Sequence, residues 1–233
     1  MAQDTPLPYE VIVVDSSSDG TDAIVREEFP LVQLIRRETR TPVGAARNLG
    51  IGRARGDIIA FCDSDCVADT GWLRHLVGGH GSGVAGVGGS VANGNPASLV
   101  GWASFLMEFS RLAPSSPRRL VTDIVGCNCS YKRWVFDKYG LYHDGDYAGD
   151  DVLFNRRLVL AGERLLFEPQ AVVYHQNRED LGGFLRHMRH LGEGVGMVRL
   201  LDDMPHAYLA RRPCLAAAAY PYRVGRIAWR ALR

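Results

Sequence analysis

Asp63 and Asp65 stand two positions apart at the end of the apolar run Ile58-Ile59-Ala60-Phe61-Cys62. Residues two apart in an extended chain point the same way, so both carboxylates can face one ligand. Left bare, two like charges at short range repel and one pKa rises. A shared proton or a divalent cation relieves that repulsion. With a cation the pair becomes a hard oxygen site suited to magnesium or manganese bridging a diphosphate. A nucleoside-diphosphate site is the chemistry this spacing points to; a solvated Asp-Ser-Asp turn is the plain alternative.

Such carboxylates need an element to hold them. Ile58 to Cys62 reads as a buried parallel strand whose C-terminal end opens on a crevice. Upstream, Glu10 to Val14 predicts a strand ending at Asp15, which is placed to accept hydrogen bonds from a base or ribose. The loop through Thr21 supplies caps for a helix from Asp22 to Phe29. Leu31 to Ile35 predicts a second strand, and Gly44 to Ala54 a helix closed by Gly56 in a left-handed C-cap. Gly44, Gly50 and Gly52 do not form a G-x-G-x-x-G loop after a strand, which argues against a nicotinamide-dinucleotide site.

Further along, helices are expected at Trp72 to Val77, Ala97 to Leu112 and Lys132 to Tyr139, with strands at Val84 to Val91 and Leu120 to Val125. Trp102, Phe105, Leu106 and Phe109 form a stripe read as core packing. Gly126 to Ser130 reads as a loop. Asp150 and Asp151 precede a helix from Val152 to Ala161, where the helix dipole alone could explain acidic residues. Strands at Arg164 to Phe167 and Ala171 to Tyr174 follow, the second ending at His175. Strands alternating with helices predict an α/β fold with a mostly parallel sheet flanked by helices.

The totals narrow the classes. A chain of 233 residues, 46% hydrophobic and 23% charged, suits one sizeable domain with a core and a tail. A net charge of +1 argues against a general nucleic-acid binder. The five cysteines are odd in number and form no C-x-x-C pair, which fits reduced thiols in the cytosol; zinc held by Cys62, Cys66, Cys127 and Cys129 matches no ligand spacing. No signal peptide is visible and no apolar stretch reaches the roughly 18 residues of a spanning helix. The expectation is a cytoplasmic protein, at most peripheral at the inner face of a membrane.

Four blocks, in order, carry a resemblance to a known family: Val13-Val14-Asp15 running to Asp19-Gly20-Thr21, Ala46-Arg47-Asn48-Leu49-Gly50-Ile51, Phe61-Cys62-Asp63-Ser64-Asp65, and Gly149-Asp150-Asp151 with Pro169 and His175 downstream. Together they resemble the family 2 glycosyltransferases, inverting enzymes of the Rossmann-like GT-A fold, over about residues 8 to 180. The resemblance implies nucleotide-sugar contacts for Asp15, Arg47 and Asp63. It implies a divalent cation, Mn2+ or Mg2+, held by Asp65 and His175. It implies a catalytic base at Asp151, or at Asp150, which stands where the family has Glu. The partners implied are a nucleoside-diphosphate sugar and a glycan or lipid-linked acceptor, with no nucleic acid.

The ends depart from that pattern. Family members begin with one more strand and a nucleotide-holding loop, so the expectation is a transferase domain at 1–180 that is truncated at its N-terminus, and a helical basic extension at 181–233. After Asp203 there is no acidic residue, while Arg211, Arg212, Arg223, Arg226, Arg230 and Arg233 alternate with apolar side chains. That pattern suits anionic lipid; a helix packed on the domain or on a partner is the other reading. Two rival functions stand beside the transferase: a non-catalytic domain of the same shape, and a haloacid-dehalogenase-type phosphatase with Asp63 as nucleophile.

Overall fold

A computed structural model describes residues 3–81, 83–202, 204–205, 207–212, 214–215 and 220–231, without the side chains of 220, 223, 227, 228, 230 and 231. Eight strands are described: β1 (Ile12–Asp15), β2 (Gln33–Arg36), β3 (Ile58–Cys62), β4 (Cys66–Ala68), β5 (Gly86–Asn93), β6 (Arg119–Val121), β7 (Asn128–Lys132) and β8 (Leu165–His175). The helices among them are α1 (Thr21–Glu28), α2 (Val43–Arg53), α3 (Trp72–Gly79), α4 (Leu99–Glu108), α5 (Arg133–Tyr139) and α6 (Asp150–Leu160). After β8 come α7 (Leu181–Leu201), α8 (Ala207–Ala210) and α9 (Tyr220–Ala231).

The expected α/β architecture is present, but the sheet is mixed rather than mostly parallel. β1 and β2 pair in parallel as a two-stranded sheet, and the other six form a second sheet ordered β3-β7-β5-β8-β4, with β6 also on β8. Of the pairs in the larger sheet only β5–β8 is parallel. β7 is responsible. It enters antiparallel between β3 and β5, where the sequence reads as a loop because Asn128 and Ser130 break the apolar pattern. Both are fully buried, and their polar groups are satisfied internally. Asn128 donates to the Ser90 and Ala171 carbonyls at 2.7 and 2.8 Å and accepts from the Trp72 indole at 2.8 Å. Gly89 makes room for it: a Cβ there would lie 2.0 Å from the Ala171 carbonyl oxygen.

Each face of the larger sheet carries its own apolar layer. Ile59, Tyr131 and Leu165 meet Ile51 of α2, Phe136 of α5, and Phe154 and Leu158 of α6 on one side. Val87, Val91, Leu166 and Val173 meet Trp72 and Leu76 of α3 and Phe105 of α4 on the other. Burying one such side chain contributes roughly 1.5–3 kcal/mol, so the two layers fix strand register and helix position together. Trp102 leaves the expected core stripe; it is 40% exposed, with its indole donating to the Pro96 carbonyl.

Other boundaries shift for local reasons. α2 ends at Arg53, and Ala54 after it turns extended, so Gly56 takes no left-handed cap. α4 spans only Leu99–Glu108. The two strands expected at 164–167 and 171–174 are one strand, β8, with a register shift opposite Gly89 and Ser90. In the C-terminal segment Leu232, Arg233 and the side chains of Arg223, Ile227 and Arg230 lie outside the described residues. Among the described residues no helix is long and apolar enough to cross a membrane.

Candidate functional site

Strand direction gathers the chemistry at one edge. β7 is antiparallel to both β3 and β5, and β5 is parallel to β8, so β3, β5 and β8 all end on the same side. That edge receives Asp63 and Asp65 after β3, Asn93 at the end of β5, His175 at the end of β8, and Gly126 and Cys127 just before β7. Phe61 fixes the last turn of β3, its ring lying edge-on to Tyr131, Phe136 and Tyr142 at 5.6–6.4 Å.

Arg47 joins this edge to α6. Its guanidinium donates to Asp63 Oδ1 at 3.1 Å and to Asp150 Oδ2 at 2.8 Å, and only 10% of its side chain is exposed. Burial alone would favour the neutral guanidine, but the carboxylates of Asp63 and Asp150 reverse that and hold the Arg47 pKa well above its ordinary value. Gly126 is glycine for this reason: a Cβ would lie 2.4 Å from an Arg47 nitrogen. The Gly126 amide donates to Asp151 Oδ2 at 2.8 Å. The two neighbouring carboxylates of α6 therefore differ in partner, Asp150 facing a cation and Asp151 a backbone amide.

Asp151 also accepts from the Val152 amide at 2.8 Å. Part of its surface stays open, yet it sits deep among protein atoms. That burial pushes its carboxyl up to about 6, with Asp150 and Asp123 adding and Arg47 and the Gly126 amide partly offsetting. A carboxylate poised near neutrality and reachable from outside is suited to take a proton from a hydroxyl.

His175 Nε2 lies 3.5 Å from Asp65 Oδ1. The other ring nitrogen, Nδ1, is 3.1 Å from Asn177 Oδ1, while Asn177 Nδ2 donates to the His175 carbonyl and to Asn93 Oδ1. A backbone carbonyl can only accept, so the orientation of Asn177 is fixed and its oxygen must receive the Nδ1 proton. In the neutral ring Nε2 then carries the lone pair and faces the Asp65 carboxylate across 3.5 Å; a divalent cation between them would satisfy both, with the Asn177 amide orienting the ring. The donor set therefore fits the cation expected from the sequence.

Asp15 sits apart, on the two-stranded sheet. It is 7% exposed, accepts from the Ser17 amide at 2.9 Å and pairs with Arg36 at 3.0 Å. The Ser17 amide, with Arg36, holds its carboxyl below the usual carboxylate range against the effect of burial. The structure thus links Arg47, Asp63, Asp150 and Asp151 in one network and pairs Asp65 with His175. Gly126 and Asn177 were not singled out in the sequence. The signal for the first was a glycine at the mouth of a strand; the second had none.

Residues 1–140 match the family described as Glycosyl transferase family 2. The chain belongs to that family. A curated relative, the glycosyltransferase AglE of Haloferax volcanii, is 32% identical over 83% of this chain and 65% of its own length. The pre-mycofactocin glycosyltransferase of Mycobacterium tuberculosis is 30% identical over 73% of this chain and 38% of its own. The chain thus spans between about a third and two thirds of the length of these relatives. The mannosyltransferase PcManGT of Pyrobaculum calidifontis, solved with GDP-Man and Mn2+, superposes with a TM-score of 0.63 at 21% identity, covering 95% of this chain and 64% of that one. GalNAc-T7, solved with UDP, GalNAc and Mn2+, gives 0.57 at 18% identity over 73% and 38%. Such likenesses establish the GT-A fold of this family member.

Proposed function

We propose that this family 2 chain moves a sugar, with inversion, from a nucleoside-diphosphate donor to an acceptor hydroxyl. The observation that carries the reading is the connected path Asp63–Arg47–Asp150 with Asp151 beside it, at the sheet edge where Asp65 and His175 face each other. Asp63 would take the ribose side of the donor and Asp65 with His175 a Mn2+ or Mg2+ ion. The ion, when bound, supplies charge neutralisation at the departing diphosphate. Asp151 accepts the proton of the attacking hydroxyl; Asp150, already paired with Arg47, holds the guanidinium and is the weaker candidate for base. Asp15 would contact the base from the neighbouring sheet. Residues 1–180 form the transferase unit in this reading, acting on a glycan or lipid-linked acceptor, and 181–233 a helical basic extension with its arginines on anionic headgroups.

Mn2+ in the solved structural neighbours supports the cation, and the named glycosyltransferase relatives support the reaction class. The test is a panel of UDP- and GDP-sugars with Mn2+, read as nucleoside diphosphate released and as donor heat of binding. Release from at least one donor is expected, lost when the ion is chelated. Binding without release would favour the non-catalytic domain; neither, across the panel, would overturn the assignment.

A further inference from the structure

β4 begins at Cys66, and in its antiparallel pairing with β8 Cys66 stands directly opposite His175. Directly paired residues project from the same face of a sheet with their Cβ atoms close together. The Cys66 sulfur is 4.0 Å from Asp65 Oδ1, which is itself 3.5 Å from His175 Nε2. All three donor atoms lie within 4.8 Å of one another. Around one tetrahedral ion, oxygen or nitrogen at about 2.1 Å and sulfur at about 2.3 Å would stand about 3.4–3.7 Å apart, so small side-chain adjustments close the set.

We propose that Cys66 is a third protein ligand of the cation held by Asp65 and His175, giving an oxygen–nitrogen–sulfur site that prefers Zn2+ or Co2+ to Mg2+. The inference rests on the cation site of the proposed transferase reading and extends it. On binding, the thiol gives its proton to solvent and a sulfur–metal bond forms, so one proton leaves per ion bound and no electrons move. A thiolate suits borderline ions and is a poor partner for hard Mg2+. Asp65 is 36% exposed, which leaves the outward side of the ion open for diphosphate oxygens.

Cobalt titration of the intact chain, with Co2+ alone and no sugar nucleotide, reads this directly. Thiolate ligation gives a near-ultraviolet sulfur-to-cobalt absorption and releases about one proton per ion. Both are expected in the wild type and both should vanish in Cys66→Ser, with Co2+ and Zn2+ affinity falling about tenfold or more and Mg2+ affinity changing less than twofold. If Cys66→Ser does not fold, the band must survive in each of Cys62→Ser, Cys127→Ala, Cys129→Ala and Cys214→Ser, which leaves Cys66 as its source. No band in the wild type, or a band that persists in folded Cys66→Ser, overturns the proposal. Donor turnover without the band sinks the cysteine alone; the band without turnover sinks the transferase reading alone.

Discussion

Two acidic pairs in this chain share a residue type and little else. Asp63 and Asp65, after β3, have side chains 41% and 36% exposed and face a cation on one side and a histidine on the other. Asp150 and Asp151, opening α6, sit inward, one clamped to Arg47 and the other held by the Gly126 amide. Exposure leaves the first pair free to take a ligand from solution. Burial divides the second pair: the Arg47 guanidinium is taken by Asp63 and Asp150, and Asp151, deep among protein atoms without a direct cation, keeps its proton to a higher pH. On the proposed reading, environment rather than residue type turns four aspartates into ligand, clamp and base.

The comparison breaks most sharply at Asp151. Replacing it with Asn keeps the shape and one of its two backbone contacts, to Gly126 or to Val152, and removes the proton acceptor. Transfer should fall by roughly 10²–10⁴, the usual worth of a positioned general base, while donor binding measured by calorimetry stays within a few-fold. Transfer at the wild-type rate would move the base elsewhere.

Asp150→Ala should act on the fold instead. Asp150 is 7% exposed and Arg47 10%, so the substitution strands a buried guanidinium with Asp63 as its remaining partner. Breaking a buried pair costs about 3–5 kcal/mol, and the retained Asp63 contact places this case near the lower end. Denaturant unfolding of the two variants checks the contrast: Asp150→Ala loses more stability than Asp151→Asn. Equal losses would erase the distinction between clamp and base.

Legibility follows the same division between exposed and buried. β3 with its terminal carboxylates, the start of α6 and His175 at the end of β8 could be read because apolar runs end in charge where a buried element meets solvent. β7 could not, since Asn128 and Ser130 look like loop residues until their partners Ser90, Ala171 and Trp72 are in place. The mixed sheet escaped for a related reason: periodicity reports which face a side chain takes, not which way its strand runs. The Arg47–Asp150 pair spans 103 positions in the chain, and no local pattern carries it. Nothing near Asn177 marked it as the group that orients His175.

The smallest effect distinguishes the two pairs by pH. Asp151 has a carboxyl near 6 in the folded chain against an ordinary value of 3.8. A carboxyl with a raised folded pKa binds its proton better in the native state, so its stabilisation is complete below about pH 4 and is lost as pH rises through about 6. The loss is on the order of 3 kcal/mol. Asp151→Asn should lack it, so the stability difference between variant and wild type should grow in the variant's favour from pH 4 to pH 7 and be flat on either side. Transfer should run the opposite way, rising through about 6 as the same carboxylate loses its proton. A stability difference that does not change across this window, together with an activity limb near pH 4, would mean that Asp151 is ionised as readily as an exposed aspartate and that burial does not set its role.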